Sequence, residues 1–254
     1  MGKGMGAKRV YSVADVKRSY SQAKAHEEWF GDWASALIYR PISFQVTPIL
    51  IRLSVSATAV TIFSLLLGLS LPFLVLAGGR YAFAIVAVLA TVWVILDCVD
   101  GNIARVTGSA SRLGHYLDFV TDVMFRASFY CAIGLLADEA ANPGQSGGMS
   151  SLSLSIFSVC VAMAARFSRM YQQQMSGDDV YSEDGKFFGE TSASVAKIVF
   201  SFLSGIDRLL PAMVLAAGLT GRMEWVVMFL VIYSVADFIY TQYALLHQFL
   251  ARKS

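Results

Sequence analysis

Charged residues are scarce in this sequence, at 15% of 254 positions, while 56% are hydrophobic. A soluble domain carries roughly a quarter of its residues as Asp, Glu, Lys and Arg, so the deficit excludes an ordinary soluble fold and points to a polytopic membrane protein. Mean hydropathy is correspondingly high, at +0.57. A formal charge of only +2 gives no reason to expect a nucleic-acid partner. The three cysteines, Cys98, Cys131 and Cys160, each sit in an apolar stretch without metal-ligand spacing. They read as small buried side chains rather than as a disulfide framework or a zinc site. A secretory signal is also missing: the first forty residues are polar and basic, so the first membrane span serves as an internal insertion signal. No internal repeat of the transporter kind is present.

Six apolar segments are long enough to cross a hydrocarbon core of about 30 Å at about 1.5 Å per residue. They cover 58–77, 81–99, 113–136, 152–175, 192–219 and 224–248. The fifth carries Gly205, Asp207, Arg208 and Pro211, which predicts a break or kink. Residues 137–151, rich in Gly and Ser, read as a loop, and residues 1–10 as disordered. Between them, 11–34 mixes charge with Trp29, Phe30 and Trp33, and 35–54 interrupts apolar residues with Arg40, Pro41, Pro48 and Arg52. This stretch reads as a helical segment in the membrane interface. The expected fold is all-α and integral to the membrane, with an interfacial segment (1–54) and a six-helix membrane domain (55–254).

Orientation follows from Lys and Arg placement. With the N-terminus in the cytoplasm, Arg80 and Arg222 are the basic residues left in opposite-side loops, and Arg126 and Arg208 fall inside spans; the rest of the 20 lie on or near the cytoplasmic side. Arg208 and Asp237, both charged within apolar segments, are expected to pair with each other or with Arg126.

The chemistry concentrates in residues 97–122, DCVDGNIARVTGSASRLGHYLDFVTD. Asp97, Asp100 and Ala104 share one helical face, as do Gly114, Asp118 and Asp122. A short turn between the two helices brings four carboxylates to the membrane boundary. Four ionised carboxylates repel one another in a low-dielectric site, and charge at membrane depth is costly, so capping or pairing with Arg105 and Arg112 is a weak account of all four. Hard oxygen ligands suit Mg²⁺, Mn²⁺ or Ca²⁺, with no His or Cys set to favour zinc. Gly101 and Ala104 leave room for a nucleotide against the helix backbone. A cation channel or transporter would distribute acidic residues across the membrane depth; here they gather at one face.

The pattern D-x2-D-G-x2-A-R-x8-G-x3-D-x3-D, met at Asp97, Asp100, Gly101, Ala104, Arg105, Gly114, Asp118 and Asp122, resembles the signature of the CDP-alcohol phosphotransferase (phosphatidyltransferase) family. The resemblance implies a six-span homodimer in a bacterial inner membrane or an equivalent, its active site facing the cytoplasm. It implies transfer of a substituted phosphate from a CDP-linked donor to an alcohol, in phospholipid biosynthesis. Asp97, Asp100 and Asp118 would hold two Mg²⁺ or Mn²⁺ ions, with Asp122 completing the cluster or acting as general base. Gly101, Ala104, Arg105, Ser111 and Gly114 would line the CDP site. Ser111 resembles the family's phosphate-contacting serine; alone it would be an ordinary turn serine. Many relatives carry Thr-Pro-Asn-x-x-Thr before the first span, whereas Ser56, Ala57, Thr58, Ala59, Val60 and Thr61 stand here. Thr61 either contacts the nucleotide or bonds its own helix backbone. The donor is CDP-diacylglycerol, or a water-soluble CDP-alcohol donating to a lipid alcohol or polyol. Arg126, Arg166, Arg169 and Lys186 either grip an anionic acceptor such as a sugar- or inositol-phosphate or anchor helix ends and lipid headgroups.

Overall fold

Uncharged runs of Leu, Val, Ala and Ile can satisfy their backbone N–H and C=O groups inside a bilayer only by closing them into helices or barrels. The computed structural model, which describes residues 11–141, 149–175 and 205–251, takes the helical solution throughout, and every regular element among those residues is a helix. Three short helices come first: α1 (Val13–Ser19), α2 (Gln22–Gly31) and, after a widened helical turn at Ser35–Tyr39, α3 (Arg40–Arg52). Longer helices follow: α4 (Ala57–Leu76), α5 (Ala82–Thr107), α6 (Arg112–Ala140), α7 (Ser151–Met175), α8 (Leu210–Thr220) and α9 (Met223–Ala251).

Side-chain caps set several starts. Ser12 and Asp15 form a reciprocal capping box at α1, and the Ser56 hydroxyl accepts the Ala59 N–H at the start of α4. Glycine sets two ends: Gly108 after α5 and Gly221 after α8 adopt φ of 66° and 68°, a left-handed conformation that needs no Cβ.

Five of these helices (α4, α5, α6, α7 and α9) are long and apolar enough to cross a membrane. The first, third, fourth and sixth expected spans agree with α4, α6, α7 and α9 to within a few residues. The second is extended: α5 runs eight residues beyond 99, to Thr107. Asp97 and Asp100 end the apolar run without ending the helix, because backbone hydrogen bonds do not depend on side-chain polarity. Of the fifth expected span, 192–204 lies outside the described residues, as do residues 1–10, Lys186 and 142–148 of the expected 137–151 loop, whose first four residues continue α6. Where the description resumes, a helical turn at Gly205–Asp207 breaks at Arg208–Leu209 before α8 begins, as Gly205 and Pro211 predict. At 11 residues, α8 is too short to cross alone.

Helix α4 packs on α5 and α6, α7 bridges α6 and α9, and both α3 and α8 lie against α5. The core centres on Trp93 of α5, fully buried and stacked on Phe125 of α6 with ring centroids 3.6 Å apart. Cys98 is buried as expected; Cys131 is only partly so and Cys160 is exposed, on the outward face of α7 with Ile156 and Phe157. Small residues let the helices approach closely. A Cβ on Gly134 would meet Leu152 Cα at 2.7 Å and Ser155 Oγ at 2.8 Å. Gly134→Ala is therefore expected to lower stability by about 1–3 kcal/mol, read as a lower melting midpoint in detergent. The better helix propensity of alanine, about 1 kcal/mol, offsets this only in part, because a backbone atom cannot move aside as a flexible side chain can.

Candidate active site

The end of α5, the turn at 108–111 and the start of α6 form a helical hairpin, and the motif residues face its inside. Gly108 reverses the chain while the N–H groups of Gly108 and Ser109 cap the carbonyls of Arg105 and Ala104. Ser111 then starts α6, its hydroxyl accepting the Gly114 N–H at 3.1 Å. Ser111 is thus a helix cap and also faces the space between the helices.

That space is a cavity of about 340 Å³, within the range of small-molecule sites. Asp97, Asp100, Gly101, Ala104 and Arg105 line it from α5, and Ser111, Gly114, His115 and Asp118 from the start of α6. Ala57, Thr58 and Thr61 close it from α4, and Lys24 and Arg40 from the N-terminal helices. All six residues expected to line the CDP site (Thr61, Gly101, Ala104, Arg105, Ser111 and Gly114) therefore meet in one cavity. So do three of the four aspartates.

Asp100 is only 7% exposed, and Thr61 Oγ1 donates to its Oδ2 at 2.7 Å while lying 3.1 Å from the Ala57 carbonyl. The carboxylate is the stronger acceptor, so Thr61 does more than close on its own helix. Asp97 faces Arg208 Nη1 at 3.8 Å, and Arg208 Nε reaches Asp32 at 3.0 Å. Gly101 has a local reason to be glycine: a Cβ there would sit 3.2 Å from the Arg105 guanidinium, which folds back over it.

The fourth aspartate lies elsewhere. Asp122, one turn beyond Asp118, does not line the large cavity and is ion-paired with Arg166 of α7. Two more of the expected acceptor cations, Arg126 and Arg169, are also paired, while Lys186 lies outside the described residues. Arg126 bonds Asp207 at 2.8 Å, and Arg169 bonds Asp237 at 2.7 Å and Thr241 at 2.6 Å, tying α7 to α9. The expected partnership among Arg208, Asp237 and Arg126 is therefore corrected: Arg208 serves Asp32 and Asp97, Asp237 serves Arg169, and Arg126 serves Asp207. Each is satisfied by the nearest opposite charge across a helix interface. Among the described residues, no three acidic, His or Cys side chains converge tightly enough to hold a metal ion. The carboxylates of Asp97, Asp100 and Asp118 share the cavity wall instead.

Beside the cavity, Glu28 accepts hydrogen bonds from both Arg40 and the Tyr20 hydroxyl. Burial pushes its carboxyl upward, but the hydrogen bonds and charge of Arg40 outweigh burial and hold it below the ordinary glutamate range. Burial, and then the bond to Glu28, push the Tyr20 phenol upward. Lys24 and Arg40 carried no spacing signal, because their contribution comes from packing between distant segments, whereas His115 follows Gly114 inside the 97–122 stretch.

A family model described as CDP-alcohol phosphatidyltransferase matches residues 54–203, more than half of the chain. The chain belongs to the CDP-alcohol phosphatidyltransferase family. Members are membrane-embedded transferases of substituted phosphate groups, taking the phosphatidyl group from a CDP-alcohol with release of CMP. No curated protein matches the chain at a significant level. The matched range contains the whole α5–α6 hairpin, so it holds every cavity-lining residue except Lys24 and Arg40.

Proposed function

We propose that this CDP-alcohol phosphatidyltransferase moves the phosphatidyl group of CDP-diacylglycerol to the hydroxyl of a small alcohol, releasing CMP, in phospholipid biosynthesis. The observation that carries the reading is the single cavity in which the carboxylates of Asp97, Asp100 and Asp118 meet Gly101, Ala104, Arg105, Ser111 and Gly114. It lies at the end of membrane-crossing helices, where a nucleotide enters from water while acyl chains stay in lipid.

An all-oxygen donor set on one cavity wall, with a buried carboxylate at Asp100, fits Mg²⁺ or Mn²⁺. Asp97, Asp100 and Asp118 would hold two such ions, with Asp122 as a further ligand or as base. Their chemistry is to polarise the phosphoryl oxygens and offset the charge on departing CMP. The chain's own residues do the rest. Arg105 and the start of α6 at Ser111 face the diphosphate, and Gly101 keeps the helix surface open. The acceptor oxygen attacks the phosphorus that carries the diacylglycerol, and the bond from that phosphorus to the oxygen bridging to CMP breaks. The acceptor proton passes to Asp122, whose partner Arg166 sits where an anionic acceptor would find a cation. Arg169, committed to Asp237 and Thr241, is better read as a structural tie.

The exposed side chains of Leu37, Ile38, Ile42, Ile49 and Leu53, opposite buried Ser43, Phe44 and Thr47, support an interfacial position for α3 and the turn before it. With the basic residues on the same side, the cavity faces the cytoplasm.

The test is CMP release by purified protein given CDP-diacylglycerol with serine, inositol, inositol phosphate, glycerol phosphate or choline, scored by lipid product. Release is expected to require Mg²⁺ or Mn²⁺ and to stop on chelation. Protein that binds no CDP nucleotide and releases no CMP with any acceptor is not this enzyme.

A further inference from the structure

Asn102 belongs to no assigned role, yet it is fully buried beside the cavity. Its Nδ2 donates to Ser43 Oγ at 3.0 Å and Thr47 Oγ1 at 3.4 Å, both on α3. Its Oδ1 accepts from Arg105 Nη2 at 2.9 Å and from Arg40 Nη1 at 3.4 Å. A primary amide has two N–H donors and two carbonyl lone pairs, and all four are used.

The amide has only one workable orientation. The Ser43 hydroxyl already donates to the Arg40 carbonyl at 2.8 Å, and that of Thr47 to the Ser43 carbonyl at 2.7 Å. Both hydroxyls offer only lone pairs to Asn102. Turned over, the amide would set its N–H groups against two guanidiniums and its oxygen against two acceptors. Beyond Asn102 the chain of contacts continues: Arg40 is held by Glu28, and Glu28 by the Tyr20 hydroxyl at 2.6 Å. A buried amide with all four of its hydrogen-bonding positions used rigidifies what it touches.

We propose that Asn102 is a positioning residue for the donor nucleotide, fixing the Arg105 guanidinium in the cavity wall by tying it to α3. This rests on the reading that Arg105 contacts the nucleotide. It makes the N-terminal helices, which precede the family-matched range, part of the donor site.

The test is CDP titration of the full-length protein in detergent with Mg²⁺. The variants are Asn102→Leu, Asn102→Asp, Arg105→Ala and the Asn102→Leu/Arg105→Ala pair. Asn102→Leu removes the acceptor that holds a charged donor and is expected to weaken CDP binding about tenfold, with donor KM rising more than kcat falls. Asn102→Asp keeps an acceptor for Arg105 but sets an oxygen against the Ser43 and Thr47 hydroxyls, so it is expected to bind CDP more weakly than the parent and more tightly than the leucine variant. In the Arg105→Ala background, Asn102→Leu is expected to cost no further affinity. Asn102→Ser carries the same comparisons should Asn102→Leu not accumulate. Unchanged CDP affinity in Asn102→Leu overturns the proposal. So does an equal loss with and without Arg105, or an Asn102→Asp that binds as weakly as the leucine variant. If Arg105→Ala itself binds CDP like the parent, the nucleotide role of Arg105 falls first, and that outcome is separately visible.

Discussion

Asp122→Asn is expected to leave CDP binding intact and to lower the rate of CMP release by about a hundredfold to ten-thousandfold, the usual contribution of a positioned acid or base. Asp122 is the one motif aspartate that does not line the large cavity, so removing its charge leaves the donor's surroundings in place. Asparagine preserves shape and can still accept from Arg166, the present partner, so the fold is kept. What is lost is a group able to take the acceptor proton. On the proposed mechanism, Asp122 exchanges Arg166 for the acceptor hydroxyl before that transfer, which accounts for the ion pair seen between them. Parallel measurements of kcat and CDP affinity decide the matter. Loss of affinity matching the loss of rate would place Asp122 among the metal ligands and not at the proton.

Asp100→Asn is expected to abolish metal and nucleotide binding together, with CMP release down on the order of a thousandfold, the equivalent of several kcal/mol at about 1.4 kcal/mol per decade. Asp100 gives a cleaner test than Asp97. Neutralising Asp97 also takes from Arg208 one of its two carboxylate partners, leaving Asp32 at 3.0 Å, so a loss there mixes two causes. Around Asp100 the neighbour is the neutral hydroxyl of Thr61, which asparagine can still engage. Mn²⁺ binding followed by electron paramagnetic resonance, beside CDP titration, reads both losses. Retained Mn²⁺ binding in Asp100→Asn would remove Asp100 from the proposed ligands.

Much of the site was legible because it is written locally. Asp97, Asp100, Gly101, Ala104 and Arg105 lie within three turns of one helix, and helical geometry alone puts the aspartates and Ala104 on one face. Ser111, Gly114 and Asp118 follow after a turn too short to lead elsewhere. The membrane helices were legible for the same reason, since a run of apolar residues carries its own length. What escaped depends on the partner rather than the chain. Spacing places Asp122 on the same face of α6 as Asp118, but its side chain answers to Arg166, 44 residues away. Arg169 finds Asp237 across 68 residues, and ion pairs between separate helices leave no periodic trace. Lys24 and Arg40 were hidden likewise: an interfacial segment reads the same whether or not it folds over a cavity. The apolar run of the second span closes at 99 because hydropathy registers where lipid contact stops, while α5 continues as a helix to Thr107, as the face shared by Asp97, Asp100 and Ala104 requires.

The glycine at 205 has a meaning beyond the break it marks. A Cβ there would fall 2.1 Å from the Trp33 indole, and three residues on, Arg208 meets Asp32 while its carbonyl accepts the Tyr39 hydroxyl at 2.9 Å. Three contacts thus clasp the segment before the family-matched range to the segment after it. The matched range, 54–203, is in this sense not a portable module. Grafting it between relatives without both flanks would separate the two halves of the clasp, so the flanks have to move as a pair.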